Sequence, residues 1–429
     1  MHLSLVEVAA AIGGATASLP SVEVTTYHTD SRQVVPGGLF FALKGAETDG
    51  HRFVGDAAAR GAAAVLRVAD TWAALYALAR QVPARVSPLV VGVTGSNGKT
   101  STKEFLAAAL AARFPTLKTE GNLNTETGVP LTILRLEPEH RALVLEMGLQ
   151  GPGEIRRLAE LARPRIGLIT TIGTVHLEFF ASQADLARAK GELVAALPPD
   201  GLAVLPADSA HLPLLRSLAT APVATFGPGG DWEFADYRPQ GSGCRFTVRG
   251  VEVALQLGGR HMAGNALAAL AAAEFAGVPL ATAAPALTAV SVHRRLAEWP
   301  APEGFTIVDD SYNASPESML AAFETVAERE RRGRLLALLG EMRELGAAAD
   351  EAHRQVGRRA RELFDAICVV DVGRGPLLAE ASGGELVADN AAALAWVRAE
   401  ARPGDTLLVK ASHGVHLEEV VLDLLKGAA

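Results

Sequence analysis

Apolar residues fall along this chain in two alternating patterns: short continuous runs bounded by glycine or proline, and longer stretches with helical spacing. The runs Leu89 to Val93, Ala142 to Leu145, Ile166 to Thr170 and Leu202 to Leu205 read as fully buried strands, and helical patterns separate them. This order predicts a parallel, doubly wound sheet over residues 87–296. From Trp232 to Leu257 the pattern becomes short alternating strands with turns at Gly241-Ser242-Gly243 and Arg249-Gly250, and a helix is expected near Gly264. Residues 1–86 read as a small α/β unit with strands at Val22 to Thr26, Leu39 to Leu43 and Ala63 to Val68. Its helical patterns are Leu5 to Ile12, Ala57 to Arg60 and Trp72 to Ala79, and Pro83 and Pro88 bracket its junction with the next unit. From 297 to 429 strand and helix alternate again, with strands at Phe305 to Val308, Leu335 to Leu339, Ala366 to Val372 and Thr406 to Val409. That unit is Rossmann-like in order but has no G-x-G-x-x-G. The prediction is therefore an α/β protein of three domains, 1–86, 87–296 and 297–429, with a doubly wound parallel sheet in the middle.

Composition narrows the function classes. A chain of 429 residues exceeds one ordinary core, in keeping with several domains. The 40 basic against 48 acidic residues give no basic field, so nucleic-acid binding is not expected. Cys244 and Cys368 are the two cysteines and have no metal-ligand spacing, which fits a reducing compartment and predicts a cytoplasmic protein. The first residues, Met1 to Glu7, lack the basic and apolar regions of a signal peptide. The alanine-rich stretch Ala263 to Val290 is interrupted by Asn265, Glu274, Pro279 and Pro285, so it reads as packed helices and not as a membrane span.

Candidate chemistry begins at Thr94-Gly95-Ser96-Asn97-Gly98-Lys99-Thr100-Ser101. There a strand runs through a glycine turn into a helix patterned by Phe105, Leu106 and Leu110. Glycines let the backbone approach phosphates, N–H groups at the helix start point at them, Lys99 reaches the β and γ phosphates, and the Thr100 hydroxyl binds Mg²⁺. The strict Walker spacing fails because Val93 stands at its first glycine position, so strand and helix context carry this reading. The chain has only seven lysines, at 44, 99, 103, 118, 190, 410 and 426, which singles out Lys99, Lys190 and Lys410 as places where arginine would not serve.

Two strand-end residues add to this. Glu146 ends the run from Ala142, and His176 follows the run from Ile166; ligand sites of open parallel sheets lie outside the carboxyl ends of strands. Lys190, in Ala189-Lys190-Gly191-Glu192, would by default be a solvated helix lysine. A neutral amine there could add CO₂ and become a carbamate, an oxygen ligand suited to a hard cation.

The P-loop, Glu146-Met147-Gly148, the Thr-Ile-Gly segment leading to His176-Leu177-Glu178, and Ala189-Lys190-Gly191-Glu192 resemble the ordered motifs of the Mur ligase family, ATP-dependent amide-forming enzymes of peptidoglycan synthesis. The resemblance implies three domains that bind a UDP-sugar, ATP and the incoming amino acid or dipeptide in turn. It implies Lys99, Glu146, His176 and Lys190 as catalytic residues, and two Mg²⁺ sites served by Thr100, Glu146, His176 and a carbamoylated Lys190. Asn265 corresponds to an adenine contact, and Arg295 and Asp310 to residues that close over ATP.

The flanks resemble particular members of that family. Asp30-Ser31-Arg32 with Pro36 to Gly45 is similar to the UDP-recognition region of members that add the third residue or the terminal dipeptide, which implies substrate contact by Ser31 and Arg32. Asp309 to Pro316, Gly340 to Gly346 and Val409-Lys410-Ala411-Ser412 are similar to members that add D-alanyl-D-alanine to UDP-N-acetylmuramoyl-tripeptide. This implies substrate contact by Asn313, Lys410 and Ser412, and by Asn122 and Asn124 of a loop that handles the muramoyl substrate. A monomer is expected. Three departures stand out: Thr125 and Met262 where asparagine is usual, and Ala411 and His413 in a terminal Lys-Gly-Ser-Arg pattern. Plainer readings make Asp30 and Ser31 a turn cap, Glu344 a surface acid and His353 structural. Rival functions are the third-residue-adding ligase, a folylpolyglutamate synthase, and a P-loop ATPase switch that makes no bond.

Overall fold

A computed structural model describes residues 1–426 apart from 15, 17, 18, 46, 47, 67, 69 and 293. Its central element is a six-stranded parallel sheet in the order Val223–Phe226, Leu202–Pro206, Ile166–Ile169, Leu89–Thr94, Ala142–Glu146, Thr116–Lys118. Its inner strands are apolar runs because helices cover both faces. Register places Val93 beside Glu146 and Thr94 beside Ile169, so the P-loop, Glu146 and the segment leading to His176 leave the sheet at one edge. The connection after Leu89–Thr94 leads to Thr116–Lys118 on one side of it, and the connection after Ala142–Glu146 crosses to Ile166–Ile169 on the other. The crevice at such a switch point is where open α/β sheets bind ligands.

One face is covered by the helices Lys99–Ala111 and Arg260–Phe275, the second buried nearly all round. That burial is why Ala263 to Ala273 reads as apolar without an amphipathic stripe. On the other face an apolar cluster runs from Leu75, Leu78 and Val82 to Val129, Ile133, Leu143 and Leu145, joining the N-terminal unit to the central sheet. The antiparallel sheet Ala235–Gln240, Gly243–Val248, Val251–Leu255 matches the alternating pattern, and its turns use Gly241 and Arg249-Gly250 at positive φ.

The C-terminal sheet has the order Ala297–Pro300, Thr306–Asp309, Thr406–Lys410, Leu335–Leu339, Ala366–Val370, Glu385–Val387, parallel except for its first strand. In the N-terminal unit, Thr26–His28, Gly38–Phe41 and Ala64–Leu66 form a parallel sheet.

Several local expectations are corrected. The stretch expected as one strand, Val22 to Thr26, is divided: Glu23–Val24 pairs with Leu3–Ser4, and Thr26–His28 joins the parallel sheet. The strand expected to Val68 ends at Leu66, and residue 67 lies outside the described residues, as do 427–429. Pro83 does not mark the junction. The helix Thr71–Val86 runs through it and stops at Ser87, whose φ is 53°. An interior proline costs about 3 kcal/mol, while burying each of Leu75, Leu78 and Val82 returns about 1.5–3 kcal/mol. No described helix is long and apolar enough to cross a membrane.

Candidate active site

The P-loop is fixed by contacts that only glycine permits. Gly95 has φ +147°, and a Cβ there would meet Thr170 Oγ1 at 1.9 Å; Gly98 has φ +82°, and its Cβ would meet Asn265 Oδ1 at 2.5 Å. Ser96 N donates to Thr171 O at 2.8 Å and Asn97 N to Thr171 Oγ1 at 2.9 Å, so the loop is clamped to the segment after Ile169. The first helical bond is Thr102 N to Gly98 O, which leaves the N–H groups of Lys99, Thr100 and Ser101 at the positive end of the helix without intrahelical acceptors. Lys99 folds back, its Nζ donating to Gly95 O at 2.8 Å and Ser96 O at 3.1 Å. Desolvation pulls its pKa down, with Glu146 opposing that shift and Arg295 adding to it.

Glu146 is buried at the end of its strand. Its Oε1 accepts Asn124 Nδ2 at 2.9 Å, and its backbone N donates to Thr119 Oγ1 at 3.0 Å. Its Oε2 is buried and accepts no hydrogen bond. His176 has φ 65°, and its Nδ1 lies 2.5 Å from Glu344 Oε2 without the alignment of a hydrogen bond. Contact with His176 comes first among the causes that lower the Glu344 pKa, so this acid is a partner of the site and not a plain surface charge. Lys190 is 1% exposed and has no ion-pair partner among the described residues; desolvation, with Lys99 nearby, pushes its pKa well below the usual lysine range.

A cleft of about 1180 Å³ opens above these groups. Its lining includes Ser96 to Ser101, Asn122, Asn124, Glu146, His176, Asn265, Arg295, Asp310, Asn313 and Lys410. Residues distant in sequence are thus brought together between the central and C-terminal units. Arg295 stacks on Tyr312 at 4.6 Å, and Lys410, fully buried, pairs with Asp310 Oδ2 at 2.5 Å while donating to Asn313 O at 3.0 Å.

Other expected residues lie off the cleft wall. Thr94 is buried beneath the loop, its hydroxyl donating to Met147 O at 2.8 Å. Lys190 lies outside the lining. Ser31 is buried in the N-terminal unit, and Arg32 is exposed and paired with Asp30 at 2.8 Å. The Ser412 hydroxyl accepts Arg343 N at 3.0 Å and donates to Ala314 O at 3.4 Å, tying two loops together. His413 is largely exposed, 3.7 Å from Glu418 Oε1. His353 is wholly buried, and its Nε2 accepts Met342 N at 2.9 Å, which is a structural role.

His261 and Glu317 are among the cleft residues that were not foreseen. Desolvation takes His261 down to about 4, Asp310 opposing the shift and Lys410 and Arg295 adding to it. Glu317, from the C-terminal unit, reaches across to the P-loop side of the cleft. His261 adjoins the Gly264-Asn265 motif and could have been read from it; Glu317 leaves no trace in local sequence.

The donor set suits magnesium brought in by a nucleotide. A buried carboxylate oxygen without a hydrogen-bond donor and a hydroxyl at a helix start are hard oxygen ligands, and Mg²⁺ usually takes one or two protein ligands, with phosphates and water completing its shell. No group of three or more His, Cys, Asp or Glu side chains that could cage a metal by itself occurs among the described residues.

Comparison with known proteins finds three matching family models. Family models match at residues 23–123 (Mur ligase family, catalytic domain), 93–273 (Mur ligase middle domain) and 294–413 (Mur ligase, glutamate ligase domain). The UDP-N-acetylmuramoyl-tripeptide–D-alanyl-D-alanine ligase of Bacillus subtilis (strain 168) is 35% identical over 443 residues, 96% of each chain. The chain belongs to the Mur ligase family. This Mur ligase superposes on MurF from Acinetobacter baumannii with a TM-score of 0.91 at 30% identity, over 99% of both chains. Its TM-score with the MurF ligase of Thermotoga maritima, solved in complex with ADP, is 0.82 at 29% identity, over 94% of this chain and 97% of that one. As in that family, the enzyme is an ATP-dependent ligase of three domains.

Proposed function

We propose that this Mur ligase joins D-alanyl-D-alanine to UDP-N-acetylmuramoyl-tripeptide, converting ATP to ADP and phosphate. One observation carries the reading: Lys99, Glu146, Arg295 and Asp310 line a single interdomain cleft, in a chain similar along nearly its whole length to a ligase named for that reaction.

The free carboxylate of the tripeptide attacks the γ-phosphorus, ADP leaves, and an acyl phosphate forms. The dipeptide amine then adds to the acyl carbon, giving a tetrahedral intermediate that expels phosphate. Lys99 would turn from Gly95 O and Ser96 O toward the β and γ phosphates and neutralise charge there. N–H groups at the start of its helix hold the phosphate chain, Asn265 contacts adenine, and Arg295, at the end of the central unit, and Asp310, from the C-terminal unit, close the cleft. Closure excludes water from the acyl phosphate and positions the amine.

Thr100 and Glu146 would hold Mg²⁺, with His176 and a carbamoylated Lys190 at a second site; the bound metal would supply positive charge to offset that of the phosphates. Burial without a charged partner favours the neutral Lys190 amine that CO₂ addition requires. Residues 1–86 bind the UDP-muramoyl part with Ser31 and Arg32, 87–296 bind ATP and, through Asn122 and Asn124, the muramoyl group, and 297–429 bind the dipeptide beside Asn313, Lys410 and Ser412. Lys410 and Ser412 serve by shaping that wall. The enzyme acts as a cytoplasmic monomer on soluble precursors.

The test of the acyl phosphate is heavy-oxygen transfer. With the tripeptide carboxylate labelled, one label should appear in the released phosphate; unlabelled phosphate accompanied by product would exclude the intermediate.

A further inference from the structure

Lys103 is a buried cation that the chemistry above leaves without a task. It stands one turn after Lys99 on the same helix, and only 1% of it is exposed. Its Nζ lies 3.1 Å from Glu104 Oε1 and 3.7 Å from Glu146 Oε2, and donates to Gly121 O at 3.4 Å. Glu104 is also paired with Lys118, so its charge has a second partner. Glu146 has no other ion-pair partner among the described residues, and the oxygen facing Lys103 is the one that accepts no hydrogen bond. The ammonium therefore balances the carboxylate by charge without claiming its lone pairs.

That arrangement has a consequence for a divalent cation approaching Glu146 Oε2. The cation meets a fixed positive charge a few ångströms away in a site where water screens poorly, so capture by the bare protein is opposed. A nucleotide brings several negative charges to the P-loop beside Lys99, which outweigh one ammonium. Through Gly121 the same lysine also holds the loop carrying Asn122 and Asn124, the second of which bonds Glu146 Oε1.

We propose that Lys103 is a positioning residue that makes divalent-metal capture at Glu146 conditional on bound nucleotide. The inference rests on Glu146 being a metal ligand, as the proposed function has it.

The experiment uses the full chain with Mn²⁺ in place of Mg²⁺, free Mn²⁺ being read by electron paramagnetic resonance with and without ADP. K103M and K103Q remove the charge by different side chains, and thermal melting shows which of them is folded. Either folded variant should bind Mn²⁺ without nucleotide about tenfold or more tighter than wild type. With ADP present the change should be much smaller, so the coupling between metal and nucleotide falls. In an E146Q background the same substitution should have no effect on Mn²⁺. Unchanged or weaker nucleotide-free affinity in the folded variants, or an equal effect in the E146Q background, overturns the proposal. If E146Q leaves Mn²⁺ binding to the wild-type ADP complex untouched, Glu146 is not a ligand and the metal assignment itself fails.

Discussion

Glu317 Oε1 accepts the backbone N–H of Thr174 at 2.9 Å, joining the first turn of the helix Pro316–Ala327 to the segment that clamps the P-loop. The Thr174 hydroxyl donates to the same oxygen at 3.0 Å, and Asn97 Nδ2 donates to Oε2 at 3.5 Å. A carboxylate from the C-terminal unit thus stands at the mouth of the site assigned to phosphate. Replacing it by E317Q keeps the shape and removes the like charge, so ADP affinity should rise about two- to fivefold, the scale of one partly exposed charge pair. Titration calorimetry checks this; weaker ADP binding would mean that the carboxylate supports the nucleotide.

Lys99 is the positive charge closest to the phosphates in the proposed reaction. K99A should lower kcat by about 10³ or more while leaving the fold intact, because a lysine in this position acts on the charge that develops in phosphoryl transfer. A steady-state assay of ADP release reads the loss, and near-normal turnover would remove the phosphate assignment.

Lys190 bears on the carbamate. K190R retains a positive charge but cannot take up CO₂, so it should be inactive, and native mass spectrometry should show one CO₂ on wild type and none on the variant. Full wild-type activity in CO₂-free buffer would exclude the modification.

Lys410 and Asp310 form a buried ion pair between the strand Thr406–Lys410 and the loop after Thr306–Asp309. Removing one partner leaves an uncompensated charge, so K410M or D310N should each cost about 3–5 kcal/mol in denaturant unfolding. The double variant should cost less than the two singles together.

His261 sets a pH dependence of known sign. Its pKa is held at about 4 in the folded protein against 6.5 ordinarily, because burial disfavours the imidazolium. The unfolded chain therefore binds a proton that the folded chain refuses. Stability from this residue is complete above pH 6.5 and is lost as pH falls from 6.5 through 4, by at most about 3 kcal/mol. H261Q should flatten the unfolding free energy over that interval; an unchanged slope would assign the acid sensitivity to other groups.

What the sequence made legible was whatever is written locally. Gly95 and Gly98 announced a tight turn between an apolar run and a helical pattern, and the structure gives both positive φ. Glu146 and His176 could be placed because parallel strands end at one edge: register brings Glu146 there, and the segment after Ile169 carries His176 to the same cleft. Edge strands escaped notice: Thr116–Lys118, Val223–Phe226, Glu385–Val387 and Ala297–Pro300 are only three or four residues long, so their pattern merges with loops. Lys190 and Lys103 illustrate a deeper limit. Both occupy helices where lysine reads as solvated, and only tertiary packing shows that they are buried. The Glu317 contact with Thr174 spans 143 positions and depends on how two domains meet, which periodicity does not encode.

The central claim is that one cleft makes an amide bond between two particular substrates. Purified protein supplied with ATP, Mg²⁺, UDP-N-acetylmuramoyl-tripeptide and D-alanyl-D-alanine should release phosphate only when both acceptor and dipeptide are present, with the pentapeptide product identified by mass. Phosphate release indifferent to either substrate, with no new product, would contradict the account and favour an ATPase switch.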